Sequence, residues 1–435
     1  MKVLRTSTWG DEVTLEYGKA LSDYESERCG QVRVFGSNGP VGWTNKALTN
    51  GPGIILGRKG AYRGVRYSKN DFYVIDTAYY VVPKPDLDVR WLYYAIHYHK
   101  LGEIDDGSPI PSTTRAAVYV RELEVPSKET QHKIGRILGG IDDKIEVNHR
   151  SNQTLEDIAQ TIFKSWFFDF DPVKAKIAAN EEGRNPLRAA MRAISGKSDF
   201  ELDGLPREQF DQLTALAALF PDEMQDSELG KIPNGWNIAC LYDTAEYVNG
   251  SAFKGAALNR ERIGKPVIKI SELKQGISSS TKYTLSQIEE KYAISDGDVL
   301  YSWSGSPETS LDVFKWFGGE GWLNQHIFKL GFDSEPLKHF TYFLLKEMKP
   351  QLVSTAKQKQ TTGLGHVTVS DMKRMRVVKP AAHVLQEFSK RIAPVYERAS
   401  ECIKEAVTLS TLRDTLLPKL LSGELSVDAV VDGGD

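Results

Sequence analysis

Two runs of apolar residues, spaced to line one side of a helix, constrain this chain more than any other feature. After Pro126, the positions Ile134, Leu138, Ile141, Ile145, Asn148, Asn152, Leu155, Ala159, Ile162 and Trp166 step alternately by four and three residues. Near the other end Leu385, Phe388, Ile392, Val395, Ala399, Cys402, Ala406, Leu409, Arg413, Leu416 and Leu420 repeat the pattern. A seam sustained over so many heptads predicts a coiled-coil helix. Ser127 offers an N-cap to the first run, with Glu129 in its first turn. Each helix is roughly 35–40 residues, on the order of 55 Å at ~1.5 Å per residue. The simplest partner for each seam is the other helix; the alternative is that each helix packs separately on its own domain. Asn148, Asn152 and Arg413 interrupt the seams. They either fix register at some cost in stability or face solvent where the seam drifts. Pro394 predicts a kink or restart in the second helix, and Pro418 a disturbed last turn.

The same order of features precedes each helix. Gly53-Ile54-Ile55-Leu56 leads to Gly60, and Asp298-Val299-Leu300-Tyr301 leads to Gly305. Both read as a short buried strand entering a glycine loop. Apolar strands follow at Phe72 to Val82 and Trp322 to Leu330, then aromatic helical stretches at Trp91 to Ile96 and Phe340 to Leu345. Threonine-containing turns lead to Val118 and Val367, and Pro126 and Pro380 open the long helices. The offset is about 250 residues, too long for a solenoid, so it reads as a duplicated domain-plus-helix unit. The expected segments are a domain at 1–126, a helix at 127–172, a connector at 173–228, a second domain at 229–380, a second helix at 381–423 and a tail at 424–435. The 173–228 segment is polar and broken, as at Glu181 to Pro186, with a candidate short helix from Leu187 to Ile194, and reads as a connector or small insertion rather than a third core domain.

Composition narrows the function. The chain has 435 residues, 40% of them apolar, enough for two or three domains. Its mean hydropathy is −0.37, no run approaches ~18 apolar residues, and Met1 to Arg5 does not open a signal peptide. The only cysteines, Cys29, Cys240 and Cys402, form no CxxC pair, which argues against a disulfide framework or thiolate metal site and fits a reducing cytoplasm. The net charge of −3 does not advertise a polyanion partner. Residues 1–126, however, carry 16 Lys and Arg against 15 Asp and Glu, and residues 229–380 carry 20 against 15. Polyanion binding, if present, belongs in these two net-positive segments.

The loops supply candidate contacts. Residues 56–70 hold Arg58, Lys59, Arg63, Arg66 and Lys69 without an acid, interleaved with Tyr62 and Tyr67, and with glycines that permit close approach. Arginine forks onto guanine or clamps phosphate, while lysine supplies point charge. Ser37 and Asn38 lie in a turn just upstream. In the second half the matching candidates are Lys254, Trp303 and Ser304, with a basic, amide-rich loop of Lys357, Gln358, Lys359, Gln360 and Thr361. Glutamine suits adenine edges. A solvated basic loop is the competing reading for both stretches. Catalytic signals are poor. No P-loop or full GxGxxG occurs, and the eight histidines form neither HExxH nor a deaminase pattern. Asn185-Pro186-Leu187 is not the Asn-Pro-Pro-aromatic tetrapeptide of an amino-methyltransferase.

Several stretches together resemble the specificity (S) subunit of type I restriction-modification systems, over nearly the whole chain. They are Gln131 to Ile134, Ile141 to Asn148, Leu155 to Pro172, Glu228 to Trp236 and Leu412 to Gly423, with Phe35 to Gly39 and Gly57 to Gly60. The resemblance implies an α+β fold: two α/β target-recognition domains separated by two long antiparallel coiled-coil helices, with a duplicated pseudo-twofold layout. It implies a non-catalytic chain that reads a bipartite double-stranded DNA target and docks two adenine-methylating (M) subunits and restriction (R) subunits. S-adenosylmethionine, ATP and magnesium would then belong to those partners. The second helix opens with Gln386-Glu387-Phe388 instead of the family's glutamine-isoleucine. A coiled-coil assembly adaptor that reads no bases is the alternative.

Overall fold

The computed structural model describes residues 4–25, 30–60, 63–104, 110–360 and 364–427. The chain divides into two compact units, Met1–Glu146 with Thr408–Asp435, and Val147–Val407. Both long helices cross this division: α4 is Lys128–Phe167 and α14 is Ala382–Leu421, 40 residues each.

Before α4, the first unit runs β1 (Arg5–Thr8), α1 (Trp9–Glu12), β2 (Val13–Tyr17), β3 (Val32–Gly36), β4 (Gly39–Thr44), β5 (Gly53–Gly57), β6 (Val65–Ser68), β7 (Phe72–Val74), β8 (Ala78–Pro83), α2 (Val89–Tyr98), α3 (Arg115–Tyr119) and β9 (Glu122–Val125). The apolar run Gly53–Gly57 is buried along its whole length, as a strand covered on both faces must be. It is a central strand of an antiparallel sheet of order β2-β8-β5-β6. A smaller sheet, β4-β3-β7, contains a parallel β3–β7 pair, and β1 pairs with β9. Asp88 caps α2 through the Trp91 N–H, and Trp91, Leu92, Ala95 and Ile96 face the core. Ile134 and Leu138 of α4 close that core together with Leu416, Leu417 and Leu420 of α14. A glycine lets α4 come close to α2: a Cβ on Gly135 would lie 3.0 Å from Asp88 Oδ1 and 3.1 Å from the Trp91 nitrogen.

The second unit repeats the plan. After α4 come α5 (Asp171–Glu181), α6 (Pro186–Ser195), α7 (Asp199–Asp203), α8 (Arg207–Ala218), β10 (Met224–Ser227), β11 (Gly230–Pro233), β12 (Asn237–Cys240), β13 (Glu246–Asn249) and β14 (Lys265–Ile268). Next are α9 (Ile270–Gln275), β15 (Tyr283–Thr284), β16 (Ala293–Ile294), β17 (Val299–Ser302), β18 (Ser304–Gly305), α10 (Pro307–Ser310), β19 (Asp312–Lys315), β20 (Gly321–Leu323) and β21 (Ile327–Gly331). Finally come α11 (Glu335–Glu347), α12 (Lys349–Gln358), β22 (Gly365–His366), α13 (Val369–Arg374) and β23 (Arg376–Lys379). The sheet β13-β21-β17-β19 matches β2-β8-β5-β6 strand for strand, and β14 pairs β20 in parallel as β3 pairs β7. The β12–β23 pair matches β1–β9, and Thr368 caps α13 as Thr114 caps α3.

Helix pairing and packing on a domain, opposed as alternatives in the sequence, occur together in each unit. In the first, Ile134, Leu138 and Ile145 are buried, Ile141 is partly exposed, and Leu416 packs on the same core. Arg413 does not face open solvent: its guanidinium meets Asp142 at 2.9 Å, and Tyr94 donates to the same carboxylate at 2.5 Å. In the second, Ala159, Phe163 and Trp166 share a core with Val384, Phe388 and Ile392, with Ile162 and Val395 at its edge. Asn148 and Cys402 are buried, whereas Asn152, Leu155 and Leu409 are partly exposed. The polar seam residue Asn148 thus points inward.

Three expectations need correction. The helix neither restarts at Pro394 nor ends at Pro418, since α14 runs from Ala382 to Leu421. Pro394 is exposed, so its ring displaces only one backbone bond on the outer face. The first long helix ends at Phe167, short of residue 172, because Phe170 adopts left-handed backbone (φ 56°) before Asp171 and Pro172 start α5. The 173–228 segment holds α5 to α8 instead of one short helix. Its polar breaks are caps: Asn185 accepts from the Arg188 N–H, Gly196 closes α6, and Ser198 with Glu201 forms a capping box. Val173, Met191, Leu202, Leu213 and Phe220 join the core of the second unit.

Candidate nucleic-acid interface

In the first unit four loops converge at the end of β5. The Arg58 N–H donates to the Thr77 carbonyl (3.1 Å), and the Arg58 carbonyl accepts from Thr113 N–H (2.9 Å). Ser37 Oγ donates to the Lys59 carbonyl (2.5 Å) and accepts from its N–H (3.1 Å). The Gly64 N–H reaches the Ser37 carbonyl (2.8 Å), and a Cβ on Gly57 would fall 2.1 Å from that oxygen, so only glycine fits there. Over this frame lies a cationic and aromatic cluster. The Arg58 guanidinium sits 5.0 Å from the Tyr17 ring centroid and 5.8 Å from that of Tyr79, and donates to the Asp76 carbonyl (3.0 Å). Arg115 lies 4.3 Å from the same Tyr17 ring and donates to the Leu15 carbonyl (2.6 Å). Burial, with a hydrogen bond donated to Tyr17, pushes the Tyr79 phenol up to about 12, so it stays neutral. Tyr17 and Arg115 escaped the sequence reading. They lie far from Arg58 in the chain, at the end of β2 and the start of α3, with no basic pattern around them.

The other candidates of this unit divide into two groups. Arg63 is structural: its three nitrogens donate to the carbonyls of Gly60, Gly102 and Ile104 at 2.9–3.0 Å. Lys69 is ion-paired to Asp143 (2.9 Å) and Glu146 (3.2 Å) on α4. Asn38, Lys59 and Arg66 are exposed, with Arg66 reaching the Asn38 carbonyl at 3.4 Å. Tyr62 lies outside the described residues.

The second unit has the same convergence with different chemistry. The Trp303 N–H donates to the His326 carbonyl (3.3 Å), and its carbonyl accepts from Val367 N–H (2.9 Å). The indole N–H donates to Asn249 Oδ1 (3.0 Å), and the ring packs on Phe328 and His326 with centroids 5.8 and 5.7 Å away. Ser304 pairs with His366 in the β18–β22 ladder, and Lys254 is exposed before a one-turn helix. The expected basic loop begins inside a helix. Lys357 and Gln358 end α12, so an amphipathic turn replaces the loop there. Lys357 pairs with Glu308 and Lys359 with Asp371, each at 2.5 Å. Gln358 and Gln360 are exposed, and Thr361 lies outside the described residues. Both pairings were invisible in sequence because the acids come from other segments.

Among the described residues no group of acids, histidines and cysteines is placed to hold a metal. No described helix is long and apolar enough to cross a membrane.

Comparison with known proteins places this frame. The family model for the type I restriction modification DNA specificity domain matches residues 10–157 and 233–406, one copy per repeat. The chain is 30% identical over 380 residues to the type I restriction enzyme HindI specificity subunit of Haemophilus influenzae, covering 82% of each. It is 26% identical over 440 residues to the MjaIX specificity subunit of Methanocaldococcus jannaschii, covering 97% of this chain and 88% of the relative. Among solved structures, the S subunit of a type I system from M. genitalium aligns over 96% of each chain at 16% identity, with a TM-score of 0.47. With its two matched repeats and its likeness to curated relatives along most of its length, the chain belongs to the specificity subunits of type I restriction-modification systems, the non-catalytic DNA-recognition component.

Proposed function

We propose that each unit reads one half of a bipartite double-stranded DNA target, and that the paired segments of α4 and α14 fix the gap between the halves. The observation that carries this reading is the recurrence of one sheet order, with convergent loops at the same place, twice in a single chain. Exposed Asn38, Lys59, Arg66, Lys254, Gln358 and Gln360 supply phosphate and base contacts around those loops. Two adenine methyltransferase subunits dock along the helices, restriction subunits join through them, and S-adenosylmethionine, ATP and magnesium are held by those partners. A methylating partner reaches its adenine by flipping it out of the duplex.

The test is to express the chain with its methyltransferase partner in cells lacking adenine methylation and to map modified adenines across the genome. One motif in two parts with a fixed gap is expected, and none without the chain. Inserting one heptad into each long helix should alter the gap and leave the half-site sequences unchanged. Altered half-sites with an unaltered gap would refute the spacing role. Binding to duplex DNA that does not weaken with salt would refute DNA reading.

A further inference from the structure

Arg58 and Trp303 occupy one backbone setting in the two repeats. Leu56 opposes Tyr79 across β5 and β8, and Tyr301 opposes Phe328 across β17 and β21. Tyr17 opposes Tyr79, and Asn249 opposes Phe328. Arg58 and Trp303 each come two residues after the first of these pairs, each lies over the matched ring, and each touches the matched residue at the end of the first strand. Their main-chain bonds to the two flanking loops also correspond. The frame is therefore constant and the presented chemistry is not.

Resting on the two-half reading above, we propose that Arg58 and Trp303 are the matched specificity positions of the two repeats: Arg58 reads a guanine edge in one half-site, and Trp303 makes an apolar contact with a thymine methyl group in the other. A guanidinium stacked on two rings, with one nitrogen held by the Asp76 carbonyl, keeps its fork in a fixed orientation, which bidentate guanine recognition requires and phosphate binding does not. Arg115 is a positioning residue that holds Tyr17 from a second side, and neighbouring Lys59 is free of that geometry and suits phosphate. Trp303 has its only donor occupied by Asn249, so the half-exposed edge it offers is apolar. In the major groove the thymine methyl is the apolar feature that distinguishes a base pair.

The experiment is methylated-adenine mapping with the full chain and its methyltransferase partner, comparing native, Arg58→Ala, Arg58→Lys and Trp303→Ala. Both Arg58 variants should relax one guanine position in one half of the motif by roughly tenfold or more, with the other half intact. Trp303→Ala should relax a thymine position in the other half only. If Arg58→Ala lowers methylation uniformly with the motif intact and Arg58→Lys restores it, Arg58 is a phosphate contact and the proposal fails. Relaxation at bases other than guanine and thymine, or in the same half, also overturns it. A native chain that yields no two-part motif would instead overturn the function proposed above. A native two-part motif unchanged in all three variants overturns this inference alone.

Discussion

Lys315 is buried in the second unit without a good partner. Its side chain is 2% exposed and its ammonium stands 3.5 Å from Glu156 Oε1, without a hydrogen bond among the described residues. Glu156 is already served by the Tyr342 hydroxyl (2.6 Å) and Lys346 (3.0 Å). What surrounds Lys315 is aromatic: its nitrogen lies 4.2 Å from the Tyr396 ring centroid and 5.2 Å from that of Tyr342. Burial therefore prevails over the attraction of Glu156 and pushes the ammonium down to about 8. At about 1.4 kcal/mol per pKa unit, keeping this group charged at neutral pH costs about 3 kcal/mol, and the two ring contacts return about 2 kcal/mol. Lys315→Met keeps the length and removes both effects, so the variant should be about 1 kcal/mol more stable at pH 7. The folded pKa lies below the unfolded one, so the unfolded chain binds more protons between about pH 8 and 10.5, and native stability gains from this group as pH rises through that window. The advantage of Lys315→Met should shrink across the same range. Glu156→Gln acts oppositely: it leaves Lys315 buried without its counter-charge and Lys346 with only the more distant Asp312 (3.9 Å), and should cost about 3–5 kcal/mol. Urea unfolding of the full chain, followed by tryptophan fluorescence at pH 7 and pH 10, measures both variants. A loss of 2 kcal/mol or more (about that size) in Lys315→Met at pH 7 would mean that the pair with Glu156 is net stabilising, and the reasoning would fail.

Three further perturbations follow from the packing. Gly135→Leu should destabilise the first unit by at least about 2 kcal/mol, seen as a lower urea midpoint, since its Cβ meets the Trp91 nitrogen and Asp88 with no flexible neighbour to give way. Arg413→Ala should cost about 1–3 kcal/mol by leaving Asp142 with Tyr94 alone, and Asp142→Asn combined with it should cost less than the sum of the two single changes. Pro394→Ala should stabilise α14 by about 1–3 kcal/mol, because the position is exposed and the change restores one helical hydrogen bond; an unchanged unfolding midpoint would refute this.

The architecture was legible where a residue's role depends on its near neighbours. The heptad steps gave both long helices, and the doubled order of glycine loop, aromatic helix and threonine cap matched two sheets of one topology. What was not legible depends on distant partners. Lys69, Lys357 and Lys359 looked free in acid-poor loops, yet Asp143, Glu308 and Asp371 come from elsewhere in the chain to meet them. The segment after α4 looked like a linker because Pro, Gly and Asn punctuate it, and the same residues are what start and stop four short helices. Pro394 looked like a break because its missing N–H is a local fact, whereas the burial of Ile392 and Tyr396 on either side that holds the helix together is not.

The bonds that hold the backbones of Arg58 and Trp303 in place run from N–H to a carbonyl on one side and from a carbonyl to N–H on the other. Such bonds survive any change of side chain that respects the backbone angles, so the frame does not discriminate between a guanidinium and an indole. Arg63 is different, since its guanidinium itself supplies three loop bonds, and losing it would unfasten Gly60, Gly102 and Ile104 together. A scaffold fastened through its backbone, with the side chain at one matched position per repeat left free to differ, separates stability from specificity. That separation is why the two repeats can share the strand order of their main sheets and still present a charged fork in one place and an apolar ring in the other.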